Sequence, residues 1–390
     1  MNKSILNFPF LLFLMCLLGC KSKTTVPETF EIASEKVYSV FFVDSVFEHI
    51  RFIPLETNNE NLISSIFKFD KLDSNYVVID REQVSIFLFS ATGKFKRKIG
   101  QKGKGKFEYT QLRDMSVSND SLYVVVNEGK HIYIYNKNGD FIRQENLKFI
   151  VSSFAKLNDG YLFYTGYINS KPTCTHRLIF TDNTLTPIDK WLETPYGNNQ
   201  YLISSPNSGY ELTQTQNGYL LMEPHNPILY KFGEDKKLSK MAQINIDGSA
   251  DLLSNIMADT TIQNKDMAMD KEKGSIRMRR LVEMGNFIFI SYVRNSNGWC
   301  LTACIDKRKK KQGYNIYLGV SKKYDLSVNF NPLPINRLSS GAFAGDYTPN
   351  TSFALFQDNR IKASKNKHVQ ELVNYLDKTK EPNPVIVEFN

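Results

Sequence analysis

The sequence predicts an all-β fold made of repeated strand units, the pattern of a β-propeller. Three observations carry that expectation. Two neighbouring stretches of the chain are copies of each other. Each copy contains a Gly-centred hairpin signal. The chain is also rich in aromatics, 13% with 27 Phe and 20 Tyr, which suits the pleated, half-buried surface of strands.

The first copy reads Tyr76-Val77-Val78-Ile79-Asp80, then Ile86-Phe87-Leu88-Phe89, then Thr92-Gly93 and Lys94 to Ile99. The second reads Tyr123-Val124-Val125-Val126-Asn127, Ile132-Tyr133-Ile134-Tyr135, Asn138-Gly139 and Asp140-Phe141-Ile142. Tyr76 to Tyr123 is 47 residues and Gly93 to Gly139 is 46, so the unit recurs with a one-residue deletion. Asn-Gly tolerates positive φ at both turn positions and marks a tight hairpin. Weaker copies begin at Tyr161, after Asn158-Asp159-Gly160, and at Tyr219, after Gln216-Asn217-Gly218. Another begins at Phe287, and the stretch from Leu318 has room for one more. Helical periodicity occurs at Ala250 to Met257 and at Lys367 to Leu376, where Val369, Leu372, Val373 and Leu376 share a face. Asn383-Pro384 stops the second, and Val385 to Phe389 ends the chain as a strand. That strand is expected to close the ring by joining an N-terminal segment between Val37 and Leu55, since unpaired edges invite aggregation.

The start of the chain has a different composition. Lys3 is the only charge before Cys20, and the apolar run Ile5 to Leu18 is too short to span a bilayer. Leu17-Leu18-Gly19-Cys20 resembles the lipobox of bacterial lipoproteins. The resemblance implies cleavage after Gly19 and a diacylglyceryl group on Cys20, whose buried acyl chains make a lasting anchor. The alternative is an ordinary secretory signal. Lys21 is not the aspartate of inner-membrane retention, which favours the outer membrane, with its periplasmic or surface-facing side open. The expected division is residues 1–19 signal peptide, 20–45 tether and lead-in, and 46–390 β-propeller. Net charge is +9, and +8 once Lys3 leaves. In an envelope protein this points to anionic glycan or lipid neighbours or to a solvated basic surface, and the export signal argues against nucleic acid.

Cys16 leaves with the signal and Cys20 carries the lipid, leaving Cys174, Cys300 and Cys304. An odd number excludes a full disulfide framework. Cys300 and Cys304 lie on one strand, about 13 Å apart, too far for a disulfide, and are read as buried small groups.

At Ile99-Gly100-Gln101-Lys102-Gly103-Lys104-Gly105-Lys106-Phe107-Glu108-Tyr109 the chain resembles the six-bladed β-propeller lipoproteins of the Bacteroidetes, relatives in shape of NHL-repeat propellers. Phe107 stands where that family usually has a Gly before the Glu. Ile53-Pro54-Leu55-Glu56-Thr57 and Asn383-Pro384-Val385-Ile386-Val387 match as well. The resemblance implies a six-bladed propeller of four-stranded antiparallel blades with a short C-terminal helix, and an envelope address. It implies no reaction.

The Gly-rich loop lacks the ending and the following helix of a P-loop and reads as a connection between blades. Lys307 to Lys311 reads as a solvated hairpin tip. His49, His131, His176, His225 and His368 form no metal-ligand spacing, there is no nucleophile elbow, and Asn136 to Asp140 is a hairpin turn rather than a calcium loop. No cofactor and no metal are expected. Position alone nominates a ligand-binding mouth: Glu108, Tyr109, Arg113 and Asp114 at the start of the second blade, and Arg277, Arg279 and Arg280 in a later one. Convergent Arg, Asp and Tyr suit an acidic sugar or a peptide terminus, and salt bridges between blades are the competing reading. The expected function is a lipid-anchored binding or assembly domain for a glycan, peptide or partner protein. The alternative is a propeller lyase or hydrolase with its site at the channel mouth, because fold does not settle function.

Overall fold

The computed structural model describes residues 28–38, 41–166, 175–194, 209–259, 261–262, 264–294, 300–309, 312–316, 318–324, 326–329, 336–347 and 364–389. Three strands come first: β1 (Glu28–Tyr38), β2 (Phe41–Phe42) and β3 (Ile50–Pro54). Blade 1 follows as β4 (Lys68–Leu72), β5 (Asn75–Asp80), β6 (Ser85–Phe89) and β7 (Phe95–Lys98). Blade 2 is β8 (Leu112–Ser118), β9 (Ser121–Val126), β10 (His131–Tyr135) and β11 (Phe141–Asn146). Blade 3 is β12 (Ser153–Leu157), β13 (Gly160–Tyr164), β14 (His176–Thr181) and β15 (Pro187–Glu193). Blade 4 is β16 (Leu212–Thr215), β17 (Gly218–Met222), β18 (Ile228–Phe232) and β19 (Leu238–Ile246). Helices α1 (Ser249–Ala258) and α2 (Lys265–Lys271) separate it from blade 5, which is β20 (Ile276–Met284), β21 (Phe287–Arg294), β22 (Cys300–Asp306) and β23 (Gln312–Ile316). The chain ends with β24 (Leu318–Ser321), β25 (Leu326–Asn329), β26 (Asn336–Arg337), β27 (Phe343–Tyr347), α3 (Lys367–Lys378) and β28 (Val385–Phe389). Each blade is antiparallel throughout, and its first strand lies nearest the axis. No described helix is long and apolar enough to cross a membrane.

Burial follows the position of each strand in its blade. Strands in the middle of a blade pack against the neighbouring blades on both faces, so they read as continuous apolar runs. β5 is buried at every position and β6 at all but its first, whereas β7 on the outer edge exposes Lys96, Arg97 and Lys98. The repeated aromatics Tyr76, Tyr123, Tyr161, Tyr219 and Phe287 all fall in the second strand of a blade. The hairpins form where expected: Gly93 and Gly139 adopt φ of 82° and 83°. Gly93 is further constrained, because a Cβ there would lie 2.0 Å from the Pro54 carbonyl oxygen.

The last blade is assembled from both ends of the chain. β28 pairs antiparallel with β27 on one side and with β3 on the other, in register from Val385 opposite Pro54 to Phe389 opposite Ile50. With β26 this makes a sixth four-stranded unit. The expected closure is therefore present. Residues 28–38, expected in the lead-in, are paired as β1, so among the described residues strand pairing already begins at Glu28. β1 runs parallel between β19 and β23 and joins the outer edges of blades 4 and 5 into one nine-stranded sheet. β2 likewise lies parallel to β24. Parallel edge pairing leaves no local hairpin signal, which is why it was not legible.

Two local readings change. α2 was not anticipated; Asn264 caps it by accepting from Met267 N at 2.9 Å. Cys300 and Cys304 do share β22, and Cys304 is buried, but Cys300 sits at the exposed start of the strand. Cys16, Cys20 and Cys174 lie outside the described residues.

Val385, Ile386, Val387 and Phe389 are all buried. Such side chains contribute roughly 1.5–3 kcal/mol each, a sum comparable to the whole stability of a typical domain, about 5–15 kcal/mol. Deleting residues 384–390 is expected to abolish cooperative thermal unfolding and protease resistance. Ile386→Ala should cost about 2–5 kcal/mol, read from denaturant melts. Unchanged melting in both variants would contradict a closing role for β28.

Candidate functional site

Strand direction gives the ring two distinct faces. The turns between first and second strands and between third and fourth strands open on one, here the hairpin face. The remaining connections open on the other, the crossover face. On the hairpin face the innermost turns are tight and need left-handed backbone: φ is 56° at Asp73, 48° at Asn119 and 56° at Asp120. Short polar side chains tolerate that region best, so the fold itself places amides and carboxylates around the axis.

These turns enclose a cleft of about 510 Å³ lined by Lys71, Asp73, Asn119, Asp120, Lys156, Asn158, Gln214, Tyr219, Lys236, Ser339 and Ser340 among others. A second cleft of about 300 Å³, lined by Gln216, Asn217, Lys231, Glu283, Lys307 and Arg337, opens on the same face. The lysines are held. Lys71 Nζ is 2.5 Å from the Glu388 carboxylate, and Lys236 Nζ is 3.0 Å from that of Asp159. Lys156 Nζ donates to the Leu157 and Gly160 carbonyls and to Asn183 Oδ1 while lying 4.7 Å from the Tyr161 ring centre. The basin therefore offers fixed donors and acceptors on rigid elements. Its chemistry suits a hydroxyl-rich or peptide-like ligand.

Asp70 sits beside it on β4. Its Oδ1 accepts from Lys71 N and Ser339 N, each at 2.7 Å. Burial pushes the Asp70 carboxyl up to about 6, against those hydrogen bonds and the charge of Lys68. Tyr219 is pushed up to about 12, first by burial and then by Asp70.

The residues nominated by position lie towards the crossover face and do not form one site. Glu108 folds back on its own loop, where Oε2 accepts from Gly105 N at 2.8 Å. A Cβ at Gly103 would lie 1.9 Å from that oxygen, so the glycines make room for this carboxylate and not for a phosphate. Phe107 holds φ of 64°, where the resembled family has Gly, and stacks on Phe141 with centroids 4.4 Å apart. Tyr109 is buried and donates to the Ile99 carbonyl at 2.8 Å. Arg277 pairs with Asp270 on α2 at 3.4 Å. Arg279 is exposed at a register shift in β20.

Asp114, Arg113 and Arg280 do approach the axis. Asp114 is fully buried: its Oδ1 accepts from Lys68 Nζ at 2.6 Å and Met115 N at 2.8 Å, and its Oδ2 from Phe154 N at 2.8 Å. It thus ties the inner strands of blades 1, 2 and 3 together, the salt-bridge reading of this residue. Arg113 is half-buried close to Arg81. The Arg280 guanidinium lies 4.5 Å from the Tyr210 ring centre. Tyr210, ahead of blade 4, donates to the Phe67 carbonyl ahead of blade 1 at 3.1 Å, crossing the axis. Sequence reasoning missed the hairpin-face basin, although its signal was present in the polar turn residues Asp73, Asn119, Asp120 and Asn158.

Asp70 carries the pH prediction of this site. The native group binds a proton near pH 6 that the unfolded chain, at 3.8, does not. Its contribution to stability should therefore rise as pH falls through about 6 towards 4. Asp70→Asn should remove that part of the pH dependence of the melting temperature. An identical pH profile in wild type and variant would contradict the assignment.

No curated protein matches the chain. Among solved structures, it is similar to a protein of Bacteroides fragilis NCTC 9343 (BF0058), described as a candidate exported protein. The identity is 15%, the TM-score 0.68, and 94% of this chain and 99% of the other are covered. A member of the duf4221 family from Bacteroides vulgatus ATCC 8482 is 10% identical with a TM-score of 0.46, covering 88% and 96%. The first of these likenesses shows the propeller fold. The model of the family described as "Domain of unknown function (DUF4934)" matches residues 28–390, so the chain belongs to that family.

Proposed function

We propose that this protein is an envelope lipoprotein, anchored in the outer membrane by lipid on Cys20, whose six-bladed propeller is a binding or assembly domain. The basin on the hairpin face is its ligand site, and a glycan is the ligand class its chemistry favours. The observation that carries this reading is the lining itself. Amides, hydroxyls and held lysines from five blades converge on one cleft with Tyr219. Sugars present alternating donors, acceptors and C–H faces, which amides, hydroxyls and an aromatic ring match. The likeness to a candidate exported protein supports the address.

Two experiments test the two halves. Cys20→Ala should move the protein from the membrane to the soluble fraction and abolish labelling by a fatty-acid probe; persistent labelling would overturn the anchor. Tyr219→Ala and Asn158→Ala should each weaken binding of oligosaccharides selected on a glycan array. One lost hydrogen bond or ring contact, about 1.4 kcal/mol, corresponds to roughly tenfold in Kd. Unchanged affinity in both variants would remove the basin from the account.

A further inference from the structure

The way β1 is held has a consequence for how the ring meets the membrane. In β1, Glu28 pairs with Ala242 and Ile32 with Ile246, in parallel. β19 runs from Leu238, opposite Phe232 at the Gly233–Lys237 turn, towards Ile246. That turn lies on the hairpin face and supplies Lys236 to the basin. The Glu28 end of β1 therefore points towards the hairpin face.

The length before β1 is short. Seven residues lie between Cys20 and Glu28, so eight Cα–Cα steps reach at most about 28 Å at ~3.5 Å per residue. Ala242, the partner of Glu28, stands about 13 Å from the hairpin-face end of β19 at Leu238, four residues at ~3.3 Å each. A tether of that length leaving by the hairpin face can extend at most about 15 Å beyond the rim. Reaching the membrane from the crossover face would require the chain to reverse within those seven residues.

We propose that the hairpin face is apposed to the lipid surface that holds Cys20, so that the basin opens onto lipid headgroups. The proposal rests on the lipid-anchor reading above. A gap of about 15 Å admits headgroups and their sugars but not a globular partner, since a 100-residue domain already has a radius of gyration of about 13 Å. The rim mixes Lys94, Lys137, Lys237 and Arg308 with Asp120, Glu234 and Asp235, all exposed. The tether and the strand direction set the orientation, and net charge does not.

The test uses full-length lipidated protein in vesicles of phosphatidylethanolamine and phosphatidylglycerol containing a headgroup-nitroxide lipid. A bimane fluorophore is placed, in a background with Cys174→Ser and Cys300→Ser, at Lys137→Cys or Gln216→Cys on the hairpin face. Matched labels go at Glu82→Cys or Lys104→Cys on the crossover face; all four positions are exposed. Quenching is expected to be several-fold stronger at both hairpin-face positions, to persist in high salt, and to fall when a flexible Gly/Ser stretch is inserted after Lys21. Stronger quenching on the crossover face, or quenching at Gln216 without Lys137, which means an edge-on ring, would overturn the proposal. The mass of the Cys20 peptide, read in the same samples, separates failure of lipidation from failure of the orientation.

Discussion

The structure depends on closing a ring whose last blade takes strands from both ends of the chain. Blade 6 is complete only when β28 lies between β27 and β3, and it is latched to blade 1 at three radii. Near the axis, Ser339 N and Oγ donate to Asp70 and to the Lys71 carbonyl. Further out, Lys71 meets Glu388 on β28. At the rim, Glu56 N donates to the Gly93 carbonyl at 2.8 Å, where the missing Cβ of Gly93 lets Pro54 approach. Contacts of such large sequence separation carry a loop-closure cost, which the buried strand Val385–Phe389 must offset.

The same closure links architecture to the site. Lys71, Asp70 and Ser339 are members of the latch and also line or adjoin the basin. A ligand seated there touches the seam between the first and last blades. The pH response of Asp70 and the integrity of the ring are therefore physically coupled. The N-terminal strap adds a second closure: β1 covers the edges of blades 4 and 5, which would otherwise present unpaired strands to other chains.

How much of this was legible in the sequence follows from the range of the interactions involved. Local ones were readable: the hairpins at Gly93 and Gly139, the apolar middle strands, and α3 with Val369, Leu372 and Leu376 on its buried face. The pairing of β28 was readable because an apolar terminal strand in a repeat protein needs a partner. The parallel insertion of β1 was not, since its partners lie more than 200 residues away and leave no turn signal. For the site, placing ligands at the start of each inner strand drew attention to Arg113, Asp114 and Arg280. There, Asp114 is engaged by Lys68 and two backbone amides, and Tyr210 crosses the axis. The polar turns that build the basin read as ordinary punctuation, because a turn residue and a ligand-lining residue look alike until the blades are arranged in a circle.

β3 and β28 form one cooperative unit with the blades. Native-state hydrogen exchange tests it most directly. The amides of β28 and β3 are expected to exchange with the same opening free energy as those of β5 and β6, through global unfolding alone. Exchange of β28 through a low-energy local opening, with β5, β6 and the middle blades still protected, would contradict it.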